Sequence, residues 1–316
     1  LRSHRGVHLH VKEVEGRGAW LLLVLLAVSV SINYVDRGNL SVAAATASFR
    51  QDLGLDNRDL GVLFGAFFLT YSLFQIAAGW LVDRFNVYWI YTAGFVLWSA
   101  ATVMTGFIGG FAALLALRLL LGVGEACAYP SYGRMIFANF GEDRRAFANA
   151  LIDAGSRTGP AIGVLAGGLI LAHSSWRVLF ISIGAAGCLW LFPWLGFLRS
   201  PHRDIARAPR TTAGPGFTSI LKKRQAWGTI IGLFCYNYAW VFILNWLPAY
   251  LTGERRLSTT AMAWYGSLPF WGVASVTVIA GWLSDRAIGR GANLTRIRLG
   301  AVCGGMAANL AHSSPR

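Results

Sequence analysis

The chain has 316 residues, 55% of them hydrophobic and only 13% charged, with a formal charge of +14. Soluble domains carry about 25% charged residues, so a water-soluble globular protein is excluded. The basic excess collects in loops between long apolar runs, which is the positive-inside pattern of membrane proteins and not a nucleic-acid footprint.

An N-terminal arm with Arg2, Arg5, Lys12 and Arg17 precedes the first apolar run. Such a basic leader imitates a secretory signal, but the uncharged stretch from Gly18 to Val35 is too long for a signal core. Eight complete spans are predicted, near 19–47, 60–82, 88–110, 111–133, 146–172, 176–198, 227–251 and 260–283. A ninth begins near Ile297. Runs of about 18–28 apolar residues match a hydrocarbon core of about 30 Å, and in lipid they must be helical. The fold class is therefore an all-α polytopic membrane protein. Cys127, Cys188, Cys235 and Cys303 fall in apolar runs without metal or disulfide spacing and read as small core residues. No metal site and no cofactor are expected, nor does any nucleophile–base pairing or phosphate loop suggest an enzyme.

The loops orient the spans. The loop near 134–145 and the long loop 199–226 are basic, whereas loop 48–59 holds three aspartates. The N-terminus and the even-numbered loops are thus expected to be cytoplasmic, in a multi-pass protein of the cytoplasmic (inner) membrane. The loop 199–226 contains "APRTTAGPG", a flexible composition. It divides the chain into a six-helix transmembrane half, 1–198, and a second transmembrane segment, 227–316. "GWLVDR" (Gly79–Arg84) ends span two and "GWLSDR" (Gly281–Arg286) ends span eight, about 200 residues on. Two repeated halves about an axis normal to the membrane are a transporter architecture.

The hexapeptides, within "GWLVDRFNVYW" and "GWLSDRAIGRG", resemble the two loop motifs of the major facilitator superfamily. "INYVDRGNLSVA", "RLLLGVGEACAYPSYGRM" and "NWLPAYL" are similar to its anion:cation symporter family, which moves organic anions such as sugar acids, hexuronates and phthalate with protons. The resemblance runs from about Trp20 to the end. It implies the major facilitator fold, a complete N-terminal bundle and a partial C-terminal one. The ending at "AHSSPR", partway through an apolar run, reads as C-terminal truncation, and the chain as written is expected not to transport. The gating motifs carried over are Gly79, Asp83 and Arg84 with Gly281, Asp285 and Arg286. Asn86, Tyr88 and Trp89 depart from the first motif, where a glycine and basic residues are usual.

Asp36 and Arg37 sit side by side in span one. An interfacial pair is the plain reading, but depth favours an interior one. Adjacent helical residues project about 100° apart, so each needs its own partner. Asp36 lies about 24 Å along its span, at 1.5 Å per residue, and Arg118 lies at the same depth on the antiparallel span four. Asp36 and Arg118 are thus expected at the same depth with opposite charge. Glu125, seven residues from Arg118, shares its helical face. Burial favours the neutral form of a carboxylate and a guanidinium favours the charged one, so movement of Arg118 or of an anionic substrate could load or release a proton. Arg37 is then free to hold a carboxylate in a bidentate fork. In the resembled family the matching carboxylates carry protons and the matching arginines handle the anion. That assigns proton coupling to Asp36 and Glu125, and substrate binding to Arg37 and Arg118.

Tyr34 and Tyr71 match family binding positions, and Asn237, Tyr238 and Trp246 of span seven would face them; packing or interfacial aromatics are the bland alternative. Asp153 and Arg157, four apart in span five, read as a structural ion pair along one face. Gly155, Gly159, Gly163 and Gly167 form a ladder that admits a close helix, and with Pro160 they resemble the glycine-proline motif of superfamily antiporters. The expected function is proton-coupled symport of a small organic anion by a monomer in the bilayer. A drug/proton antiporter and a non-transporting membrane receptor are the alternatives, and two arginines in the cavity count against lipophilic cations.

Overall fold

In a computed structural model, residues 17–199 and 222–289 are described, and these form helices without a strand among them. In chain order they are α1 (Arg17–Ala44), α2 (Ala47–Leu53), α3 (Asn57–Arg84), α4 (Val87–Thr105), α5 (Phe111–Glu125) and α6 (Ala128–Asn139). There follow α7 (Glu142–His173), α8 (Trp176–Arg199), α9 (Arg224–Gly253) and α10 (Thr259–Gly289). Six segments are long and apolar enough to cross a membrane: α1, α3, α4, α5 with α6, α8 and α9. At 32 and 31 residues, α7 and α10 have the length to do so as well. Each of the eight expected spans falls on these helices, the fourth across both α5 and α6. The ninth, and most of the 199–226 linker, lie outside the described residues.

Large apolar side chains point outward in the manner lipid requires. Ile76 is 81% exposed, Phe192 71% and Leu189 66%, positions that would be costly in water. Cys188 and Cys235 share this outward placement, so they are not the core residues expected, while Cys127 is buried.

Two features were not foreseen. The short α2 follows span one and stops at Gly54, whose φ of 63° is left-handed and suits glycine. After it, Asp56 and Asp59 cap α3 reciprocally, each side chain accepting from the other's backbone N–H, at 2.8 Å and 3.1 Å. Span four breaks between Glu125 and Ala128. Pro130 has no N–H to offer the Ala126 carbonyl, so the backbone ladder is interrupted directly beyond Glu125.

The core of the first six spans is aromatic. Phe95 of α4 stacks on Trp190 of α8 at 4.3 Å, Trp190 on Trp194 at 5.3 Å, and Tyr91 meets Trp194 edge-on at 5.2 Å. The Trp194 indole N–H donates to Thr92 at 2.7 Å, so this ring is both packed and polar-satisfied. The residues that depart from the loop motif have structural work here. Asn86 caps α4 by accepting from the Tyr88 N–H, and the buried Tyr88 hydroxyl accepts from Asn139.

The glycine ladder of α7 lies against α1. A Cβ on Gly155 would stand 2.4 Å from Val30, and one on Gly159 would stand 2.6 Å from the Tyr34 Cβ and 2.8 Å from the Ser31 carbonyl. Small residues thus let the two backbones approach. On its other side α7 packs on α10, where Gly168 meets Ala263. A small cluster of Val42, Ala161, Val164, Leu244, Met262 and Phe270 joins α1, α7, α9 and α10. Only the last third of α9 is buried, through Leu244, Asn245 and Pro248, and there the Ser41 hydroxyl donates to the Asn245 carbonyl at 2.7 Å.

Candidate transport site

Asp36 and Arg37 leave α1 in different directions, as their helical spacing demands. Arg37 Nε donates to Glu125 Oε2 at 2.8 Å, and the two side chains are 8% and 0% exposed. The guanidinium lies 4.7 Å from the Tyr34 ring, 4.5 Å from Tyr71 and 5.5 Å from Phe67. Tyr34 is one turn before Arg37 on α1, and Phe67 and Tyr71 are one turn apart on α3, so three ring faces hold one planar cation. Each hydroxyl is tied in turn: Tyr34 to the Tyr129 hydroxyl at 3.0 Å, and Tyr71 by accepting from Gln75 at 2.9 Å.

Asp36 is buried beside Thr102 of α4, with Asn39 Nδ2 donating to its Oδ1 at 3.3 Å. Arg118 is buried within electrostatic reach of both carboxylates, yet forms no ion pair with either among the described residues. Arg37, expected to be free, is instead the ion-pair partner of Glu125, while Asp36 and Arg118 lie within electrostatic reach of each other. Counting residues sets depth along a span but not rotation about it, and rotation chose the pair.

The sequence reading passed over Asn33 and Asn39, which flank Asp36 at three-residue spacing on one face of α1. That spacing was the available signal. Both polar atoms of Asn33 are buried without a hydrogen-bond partner, as are Asp36 Oδ2, Arg37 Nη2 and Glu125 Oε1. Buried polar groups are normally paired, so spare donors and acceptors concentrated at one depth mark a functional site.

Beside Arg37 and Arg118, Phe64, Phe68 and Asn245 line a narrow cleft, and the same three residues line a cavity of about 540 Å³ between α3 and α9. Asn237, Tyr238 and Trp246 all border this cavity. Tyr238 is 69% exposed, while Trp246 packs edge-on against Phe64 at 5.7 Å. Asn245, the first residue of "NWLPAYL", joins the cleft to the cavity and was not singled out from sequence.

On α7, Arg157 Nη2 lies 3.6 Å from Asp153 Oδ1, and the guanidinium also donates to the Tyr236 hydroxyl of α9. Of the gating residues, Asp83 lies 3.9 Å from Arg134, and Arg84 covers the Trp80 ring. Gly79, Asp83 and Arg134 border a groove of about 380 Å³ between α3 and α6. Gly281, Asp285 and Arg286 fall on α10, and their side chains lie outside the described residues.

Membrane-spanning helices around a buried, charged and aromatic centre define a multi-pass membrane protein with a polar interior site. The Major Facilitator Superfamily profile matches residues 26–315, and the chain belongs to that superfamily. It is 31% identical to a probable sulfoacetate transporter of Cupriavidus necator, over 93% of this chain and 71% of that protein. It is 30% identical to a D-galactonate transporter of Escherichia coli O6:H1, over 88% of this chain and 70% of that protein. With a hexuronate transporter of Bacillus subtilis the identity is 31%, over 84% of this chain and 64% of that protein. Among solved structures, an inward-facing bacterial homologue of the human lysosomal transporter Spinster superposes with a TM-score of 0.71 at 22% identity. That superposition covers 87% of this chain and 64% of the homologue, and shows the shared fold.

Proposed function

We propose that this chain forms the centre of a proton-coupled symporter for a small organic anion, working by alternating access as a monomer in the cytoplasmic membrane. The observation that carries the reading is the buried Arg37–Glu125 ion pair with Arg118 beside it. A proton taken up by Glu125 removes the charge that holds Arg37, because a neutral acid binds a guanidinium far more weakly than a carboxylate does. Arg37 and Arg118 then offer two cations to an incoming carboxylate, so the site binds the anion and the proton together. The Tyr34 and Tyr71 rings hold the guanidinium in place throughout. The names of the relatives, transporters of galactonate, sulfoacetate and hexuronate, all denote organic acids and support the same class of cargo. The glycine ladder of α7 is accounted for by its contact with α1, so it does not favour the antiporter.

The test compares labelled sugar acids with cationic dyes on the purified, membrane-reconstituted protein. The sugar acid is expected to bind saturably and the dye not. Arg37→Lys keeps the charge but loses the fork, and is expected to weaken the acid by about ten-fold or more. Dye binding that displaces the acid, or acid binding indifferent to Arg37→Lys, would sink the reading.

The proposal places the N-terminus and the 199–226 linker, which joins the segments 1–198 and 227–316, in the cytoplasm. A cysteine introduced at Thr211 is expected to resist a membrane-impermeant maleimide in intact cells and to react once they are opened. Labelling in intact cells would reverse the orientation.

A further inference from the structure

The aromatic cage around Arg37 is held in turn from outside. Tyr34, Tyr71 and Phe67 meet the guanidinium at 4.7, 4.5 and 5.5 Å, and a ring face orients a planar cation only while the ring cannot turn. The outer torsion of a tyrosine is broad, so the rotamer well alone does not fix a half-buried ring. Here the fixing contacts are at the hydroxyls. Tyr34 of α1 meets the Tyr129 hydroxyl, in the first turn of α6, at 3.0 Å. Tyr71 accepts from Gln75 Nε2, one turn on along α3, at 2.9 Å. Tyr129 stands edge-on against Tyr132, whose buried hydroxyl bonds with Ser29 and Tyr91 inside the bundle. At its root Tyr34 is confined by α7, since a Cβ on Gly159 would stand 2.6 Å from the Tyr34 Cβ. Phe67, which has no hydroxyl, is stacked on Tyr71 at 5.7 Å and 20°.

The effect is visible in the ion pair. Nε and Nη2 form one edge of the guanidinium fork, yet only Nε reaches Glu125; Nη2 and Glu125 Oε1 are both buried without a hydrogen-bond partner. A guanidinium free to tilt would close that second bond, because the two-bonded pair is the stronger one. Held by three faces it stops short, and one donor remains beside the cleft that Arg37 shares with Arg118.

We propose that Tyr129 and Gln75 are positioning residues for the anion: through the hydroxyls of Tyr34 and Tyr71 they fix the plane of Arg37, so that Nη2 stays available to the ligand and does not close onto Glu125. This rests on the reading of Arg37 as an anion-binding group.

Binding of a six-carbon aldonate is measured by calorimetry on the reconstituted protein, with thermal stability followed in parallel. Tyr129→Phe and Gln75→Leu are each expected to weaken it by about five-fold, the effect of losing one hydrogen bond. Tyr34→Phe keeps the ring face and removes the same bond as Tyr129→Phe, so the two together should cost no more than either alone. An ammonium has no plane to hold, so in the Arg37→Lys background Tyr129→Phe is expected to cost nothing further. A merely structural hydroxyl would lower affinity by the same factor in both backgrounds, and that result overturns the proposal. Unchanged affinity in Tyr129→Phe or in Gln75→Leu overturns it too. In these cases, aldonate binding that still weakens in Arg37→Lys leaves Arg37 standing as an anion-binding group. Affinity indifferent to Arg37→Lys, or no aldonate binding by the wild type, overturns both.

Discussion

In a version of the protein that carries both six-helix halves, Glu125→Gln is expected to abolish uptake driven by a pH gradient while leaving anion binding measurable. The amide has the shape of the protonated acid and cannot release a proton. It also cannot hold Arg37 as a carboxylate does at 2.8 Å, so the guanidinium stays available to the anion. The variant is therefore locked in the loaded form of the site. Binding of a sugar acid should persist and lose its dependence on pH, whereas accumulation should fall to the level of empty vesicles. Breaking a buried ion pair by removing one charge costs about 3–5 kcal/mol, so thermal stability is followed in parallel. Normal proton-driven accumulation by this variant would remove Glu125 from the mechanism.

Gly159→Leu is expected to prevent stable assembly of the first six spans. The new Cβ would stand 2.8 Å from the Ser31 carbonyl and 2.6 Å from the Tyr34 Cβ, and backbone cannot step aside as a side-chain tip can. Overpacking costs about 1–3 kcal/mol where side chains can yield, and more against backbone. The displacement falls on Tyr34, which stacks on Arg37, so packing and binding should fail together. Gly61→Leu is the control, since no atom lies within 4 Å of a Cβ built there. Equal thermal stability of the two variants would show that α1 and α7 do not need their close approach.

Most of the architecture was legible because lipid leaves few choices. Apolar run length gave the spans. The site was legible in its residues but not in its pairing. Asp36, Arg37, Arg118 and Glu125 all proved buried, yet which arginine meets which carboxylate depends on helix rotation. On α9 the sequence is apolar all round, so no stripe marks the face that fronts the site. That is why Asn237 and Tyr238 drew attention while Tyr236, the residue that holds Arg157, did not. The break after Glu125 was written in Pro130, two residues into the following helix, and went unread because the apolar run continues through it.

The contacts at the far end of α1 have a mechanical consequence. Ser41 holds the Asn245 carbonyl, and Thr252 donates to the Ala45 carbonyl at 2.9 Å. From Asn245 back to Arg224, α9 extends about 30 Å at 1.5 Å per residue, largely exposed. It is a lever with its fulcrum near Asn245, and its arm is tied to α7 where the Tyr236 hydroxyl accepts from Arg157. A rotation of about 20° at that fulcrum sweeps the tip through about 10 Å, given that arm length. A shift of about 3–4 Å near Thr252, seven residues past the pivot at 1.5 Å per residue, is thus amplified into a displacement as wide as a helix. Residues such as Trp246, near the pivot, barely move, and those near Trp227 travel farthest.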